Sequence, residues 1–241
     1  MSNQFSTSWE TPLRPAELAE TRLISSILNG NFPINSTLPP ERNLATQLGV
    51  TRPTLREVLQ RLSRDGWIEI RHGKSTRIRD YWVEGNLNVL STIARHTQYL
   101  PEGFIPQLLQ IRLLMAPTYT SMAIRNKKQP VIDLLNDLLE ISDTPTAYAE
   151  ADCRLHQNLT VLSGNPIFTL IFNSFCALYK TVAPIYFASE IARSHSRTFY
   201  KNLFSAASRG DGAQAMSITT QAMQESLDMW LNRTKLQEKS S

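Results

Sequence analysis

Apolar residues recur at helical spacing along most of this chain and alternate over one short stretch, and that change of period divides it. A first helix is predicted from Pro15 to Asn29. Pro15 suits the first turn, Leu18, Leu23, Ile24 and Ile27 form the apolar stripe, and Gly30 stops it. A turn-rich stretch, Asn31 to Pro40, follows. A short helix over Glu41 to Leu48 ends at Gly49, and another begins near Thr51, a suitable N-cap, with Pro53 in its first turn. Leu55, Val58, Leu59 and Leu62 fall at i, i+3, i+4 and i+7, giving one buried stripe. Arg52, Thr54, Arg56, Gln60 and Arg64 occupy the opposite face. Two short helices around a tight glycine turn make a helix-turn-helix.

Beyond Gly66 the period becomes two. Trp67 to Arg71 alternates apolar and polar, His72-Gly73-Lys74-Ser75 is a turn, and Thr76 to Arg79 returns, so a hairpin wing is predicted. From Asp80 a connector over residues 81–86 leads into a region that reads helical almost throughout. Its segments are Leu87–Ala94, Pro106–Asn126, Pro130–Ile141, Ala147–Leu162, Pro166–Ala188, Ser194–Ser208 and Ala213–Leu236. The expected fold is therefore mainly α. A winged helix-turn-helix over 1–80 and a linker over 81–86 precede an all-α six- or seven-helix bundle over 87–241, which would bind an effector and dimerise.

Charge sharpens the first half of this picture. The chain carries a net +4, yet Arg42 to Arg79 holds nine basic residues against three acidic ones. That segment alone is +6 and the remainder −2, the footprint of a phosphate-binding face. The recognition helix would enter the major groove with Arg52, Thr54 and Arg56. The wing tip, His72-Gly73-Lys74, would reach the adjacent minor groove. No apolar run approaches the ~20 residues of a membrane span. The N-terminus, MSNQFSTSWETPLRPAE, lacks the order of a secretory signal, and Cys153 and Cys176 make neither a disulfide framework nor a zinc motif. These features predict a cytoplasmic protein with no membrane partner.

The run LPPERNLATQLGVTRPTLREVLQRLSRDGWIEIRHGKSTRI, about a sixth of the chain, resembles the DNA-binding domain of the GntR family, specifically its FadR subfamily. Weaker similarity continues through Ser163–Pro166, Ala177–Ala188 and Gln224–Trp230. The resemblance implies that Arg42, Arg52, Thr54, Arg56, His72 and Gly73 contact operator DNA, with Lys74 beside them. Pro53 departs from the pattern where a hydroxyl would have met a phosphate. The resemblance further implies a homodimer that represses fatty acid β-oxidation genes, activates unsaturated fatty acid synthesis and is released from its operator by long-chain acyl-CoA.

Two effector readings stand side by side within that family. In the acyl-CoA branch, Glu225, Ser226 and Trp230 on the last helix and Tyr186 match effector-site positions, while Arg112 matches an arginine shared by both branches and would either pair with an effector anion or form a structural ion pair. Thr220 and Met223 replace basic and glycine residues there. In the other branch a metal held by one Asp and three His binds a small carboxylate. Asp152 and His156, at i and i+4, match two of those ligands, whereas the remaining two positions fall on Tyr200 and Ala222. That leaves too few donors, and no metal is expected. His195 would substitute only with a slipped helix register. A third reading makes the region a dimerisation module without a ligand. Cys153 and His156, at i and i+3, are spaced for a thiol–imidazole dyad. No oxyanion hole, nucleophile elbow or P-loop accompanies them, so an enzyme is not expected and no cofactor is implied.

Overall fold

Among the described residues the helical period recurs in space as twelve α-helices, with one two-stranded sheet beside them in the chain order. The computed structural model describes residues 14–71 and 73–238, with side chains through Arg233. The N-terminal stretch in which no secretory signal is read, residues 1–13, and the predicted DNA-contacting residue His72 lie outside these described residues. The chain divides into two units between Val89 and Leu90, within α4 (Leu87–Arg95).

The first unit contains α1 (Pro15–Leu28), α2 (Glu41–Leu48), α3 (Arg52–Asp65), β1 (Ile68–Glu69) and β2 (Arg77–Ile78). Each helix ends where the sequence supplies a stop. Gly49 and Gly66 are left-handed, at φ 70° and 97°, a conformation that costs a side chain but not glycine. Thr51 caps α3 by accepting from the Thr54 amide at 3.3 Å. Leu23, Ile27, Leu44, Leu55, Val58, Leu62 and Trp67 are buried together as the core. Complete burial of each aliphatic side chain contributes about 1.5–3 kcal/mol. Arg22 donates to the Leu48 carbonyl at 3.3 Å, placing a cation at the C-terminus of α2. Arg61 ties α3 to α1 through Glu20 at 3.2 Å.

β1 and β2 pair antiparallel with Ile68 opposite Ile78. Part of the stretch read as turn-rich joins them: Leu38 donates to Thr76 O and Ile78 to Ser36 O, both at 2.8 Å, and Thr37 bridges Arg77. The segment 81–86 is ordered by packing. Tyr81 is buried with its ring 4.9 Å from Trp67, and Glu84 accepts from Arg77 at 3.1 Å. A Cβ on Gly85 would meet the Tyr81 carbonyl oxygen at 2.3 Å, so the chain turns there only with glycine.

In the second unit α5 (Phe104–Asn126) packs against α12 (Gly212–Glu238) and α7 (Pro145–Leu162), and α11 (Glu190–Arg209) against α12 and α6 (Lys128–Leu138). Ala116, Ala123, Ala215 and Ala222 are buried and let helix backbones approach closely. The segment expected as one helix from Pro166 to Ala188 is three: α8 (Pro166–Asn173), α9 (Ala177–Thr181) and α10 (Ala183–Phe187). Pro184 has no amide hydrogen to continue the ladder. At the first break, Ser174 Oγ bonds back to Leu170 O at 2.9 Å and Cys176 Sγ to Phe172 O at 3.4 Å, side-chain bonds that bend helices. Among the described residues no helix is long and apolar enough to cross a membrane.

Candidate DNA-binding face and effector cavity

The helix-turn-helix presents its polar face as the spacing requires. Arg42 on α2 and Arg52 and Arg56 on α3 are exposed, and Thr54 is half-buried. Arg56 Nε lies 2.8 Å from Glu41 Oε2, and Arg52 Nη2 lies 4.0 Å from the same oxygen. Exposed pairs of this kind are worth roughly 0–1 kcal/mol, so Glu41 orients both guanidiniums without withholding them from DNA. Thr54 Oγ1 is 2.8 Å from Thr51 Oγ1, which draws its hydroxyl toward the cap. Glu41 carries no cation-binding motif that would single it out in the sequence.

The basic wing is less free than its charge count suggests. Arg71 and Arg77 both donate to Glu69, at 2.6 and 2.9 Å, and these two guanidiniums hold the Glu69 carboxyl down at about 2. Arg77 and Arg79 also reach Glu84, at 3.1 and 3.6 Å. The base of the wing is thus an ion-pair network, and at its tip Lys74 is exposed beside Gly73, left-handed at φ 69°.

The helical unit holds a cavity of about 80 Å³, walled by α5, α7, α9, α10 and α12. Its apolar lining includes Ile105, Leu108, Leu109, Phe175, Leu178 and Val182. Four of the five residues expected at an effector site converge there: Arg112, Tyr186, Ser226 and Trp230. The Tyr186 and Trp230 rings stack 6.3 Å apart, and Ser226 donates to the Ala222 carbonyl at 2.8 Å. Glu225 is not among them. It faces a separate recess with His195, whose Nε2 is 2.7 Å from Glu225 Oε2.

One wall of the cavity is charged. Arg112 Nη2 donates to Asp152 Oδ2 at 2.7 Å, and His156 Nε2 stands 3.5 Å from Asp152 Oδ1. Tyr119 Oη is 2.7 Å from His156 Nδ1. Burial opposes both charges of the pair, and their mutual attraction outweighs it, holding Asp152 well below and Arg112 above their usual ranges. Burial, with Arg112 nearby, lowers His156 and keeps it neutral. The Tyr179 hydroxyl and Arg112 Nε, both at the lining, are buried without a hydrogen-bond partner among the described residues. Sequence reading found Arg112 but missed Tyr179 and the apolar α5 residues Ile105, Leu108 and Leu109, which carry no polar pattern to mark them.

This wall does not suit a metal. Asp152 is engaged by a guanidinium, and Tyr200 and Ala222 are buried without offering an imidazole. His195 is committed to Glu225, and no group of three or more His, Cys, Asp or Glu among the described residues is arranged to hold an ion.

Two family models match successive parts of the chain. Residues 15–78 match the model of bacterial regulatory proteins of the gntR family, and residues 79–240 match that of the FadR C-terminal domain. The chain belongs to the FadR branch of the GntR family. It is a transcription regulator and not an enzyme. Fatty acid metabolism regulator proteins of Shewanella pealeana and Shewanella sp. strain ANA-3 are 46% and 44% identical to this GntR-family chain. The alignments cover 78% of it and 79% and 78% of theirs. Among solved structures, the regulator titled as controlling the Listeria monocytogenes agr system shares the fold, with a TM-score of 0.57 at 16% identity. It covers 94% of this chain and 98% of its own.

Proposed function

We propose that this regulator represses genes of fatty acid β-oxidation and activates those of unsaturated fatty acid synthesis. In this reading it acts in the cytoplasm as a homodimer on two-fold operator DNA, and long-chain acyl-CoA releases it. The observation that carries the effector assignment is the apolar cavity on which Tyr186, Ser226, Trp230 and Arg112 converge. An acyl chain suits the lining, each buried CH₂ contributing ~0.8 kcal/mol. The partnerless Tyr179 hydroxyl and Arg112 Nε offer polar handles within it.

The cavity of about 80 Å³ is far below the roughly 300–1,000 Å³ of ordinary ligand pockets. A long chain therefore enters only if a wall moves. The two five-residue helices α9 and α10 form part of that wall, and α12 carries Trp230, whose ring stacks on Tyr186 of α10. Ligand then favours an open state in which the DNA-reading helices are wrongly spaced. By linkage DNA weakens ligand binding by the same factor. Two copies are needed because a two-fold operator presents two half-sites about one helical turn apart.

Calorimetric titration with oleoyl-CoA tests the assignment. Saturable binding at one site per chain, lost in Trp230→Ala, is expected. Heat from a small dicarboxylate alone, abolished by chelator, would overturn it.

A further inference from the structure

The ion pairs at the base of the wing form a chain that ends at its tip. Arg77 Nη2 lies 3.1 Å from Glu84 Oε1 in the segment 81–86, and Arg77 Nη1 donates to Asn35 Oδ1 at 2.6 Å, in the stretch that leads into α2. Arg77 Nε lies 2.9 Å from Glu69 Oε2, and the same carboxylate oxygen accepts from Arg71 Nη2 at 2.6 Å. With each nitrogen of its guanidinium engaged, Arg77 is the inner link, its side chain 21% exposed. Arg71 is the outer link, at 42%.

Arg71 also stands where the tip begins. Its carbonyl accepts from the Lys74 amide at 3.3 Å, which closes the turn through left-handed Gly73. A residue at the foot of a tip that enters a groove meets the rim of that groove, where the backbone phosphates lie. Glu69 engages one nitrogen of a planar guanidinium with several N–H donors, so the other edge can take a second anion. Glu69 Oε2 also serves two guanidiniums at once. Arg77 takes up part of its charge, so Arg71 is steered without being neutralised.

We propose that Arg71 is a further DNA contact, a backbone-phosphate ligand at the wing, and that Arg77 is a positioning residue acting on it through Glu69. Both roles rest on the reading that the wing tip docks on DNA. Arg71 grips a phosphate oxygen with the outer edge of its guanidinium while Glu69 holds the inner edge. Without Arg77 the undivided carboxylate draws Arg71 back from the phosphate. Such a contact strengthens binding to any sequence, releases one more counterion and needs nothing from the effector cavity.

Anisotropy titrations of the full chain on labelled operator and on a random duplex of equal length, each at several salt concentrations, test both roles. Arg71→Ala should bind both duplexes several-fold more weakly, with a salt slope lower by about one, and Arg71→Lys should keep the slope. Arg77→Gln should weaken binding to both duplexes in the wild-type background and add no further loss to Arg71→Ala. Wild-type affinity and slope in Arg71→Ala, beside a loss in Lys74→Ala, would overturn the contact and leave the wing on DNA. Wild-type behaviour in both variants, beside a loss in Arg52→Ala, would overturn the docking of the wing and the contact with it. A loss confined to operator would make Arg71 a base reader and overturn the phosphate assignment. A further loss from Arg77→Gln in the Arg71→Ala background would overturn the positioning role, because damage to the wing's fold adds where positioning of Arg71 does not.

Discussion

Arg112 Nη2 lies 2.7 Å from Asp152 Oδ2 in the wall of the cavity that Trp230 also lines. Asp152 is buried and the Arg112 side chain is only 13% exposed, so neither charge has water to replace its partner. Breaking such a pair from one side leaves an uncompensated charge and costs about 3–5 kcal/mol, while replacing both partners with apolar groups is often neutral. Asp152→Asn should therefore lower the urea midpoint strongly. The double variant Arg112→Met, Asp152→Leu should recover most of the loss. Urea denaturation checks both, and a double variant as unstable as the single one would contradict the account.

The same wall makes stability depend on pH. His156 is held below its ordinary value of 6.5, chiefly by burial, so the folded chain binds no proton there while the unfolded chain does. The resulting stability is complete above about pH 6.5 and is lost as pH falls through the window below it. The urea midpoint should drop between about pH 7.5 and 5.5, and His156→Gln should flatten that drop. An equal slope in wild type and variant would place the titrating group elsewhere.

On the DNA side, Arg52→Ala and Arg56→Ala should each cost about 1–3 kcal/mol on operator DNA and much less on random DNA. Equal losses on both would assign that arginine to phosphate positioning. Lys74→Ala should weaken binding uniformly across sequences and reduce the salt slope by about one. Anisotropy titrations at several salt concentrations distinguish these patterns.

The helix-turn-helix was legible because each feature has a local cause. Thr51 caps α3, Gly49 and Gly66 stop their helices, and Leu55, Val58, Leu59 and Leu62 mark the buried face. What long-range contacts decide was not legible. Nothing local tells Arg77 that Glu69 and Glu84 will claim it, nor Glu225 that it will face His195 in place of the cavity. The split of the Pro166–Ala188 segment was readable at Pro184 and unreadable at Ser174, where a hydroxyl bends a sequence with no breaker. Arg112 was open to two readings, effector partner or structural ion pair. It lines the cavity and pairs with Asp152 at once.

Metal content offers an independent check. Protein purified without added ions should hold well under one equivalent of zinc, nickel or manganese per chain, because Tyr200 and Ala222 fall at the positions that the resemblance assigns to two imidazoles and supply neither. Elemental analysis decides it. A stoichiometric metal whose removal lowers the melting temperature would move the effector from acyl-CoA to a small carboxylate.

The central claim is that acyl-CoA binding and operator binding oppose one another through the cavity. Only a difference in affinity between the two states counts, and a tenfold release needs about 1.4 kcal/mol of coupling. The direct measurement is fluorescence anisotropy of labelled operator titrated with C8 to C18 acyl-CoAs, free fatty acid and CoA. Long-chain acyl-CoA should release the operator, with the free acid and CoA far less effective. Trp230→Ala should bind operator nearly as wild type does while needing more acyl-CoA for release. An operator complex indifferent to every chain length would contradict the account.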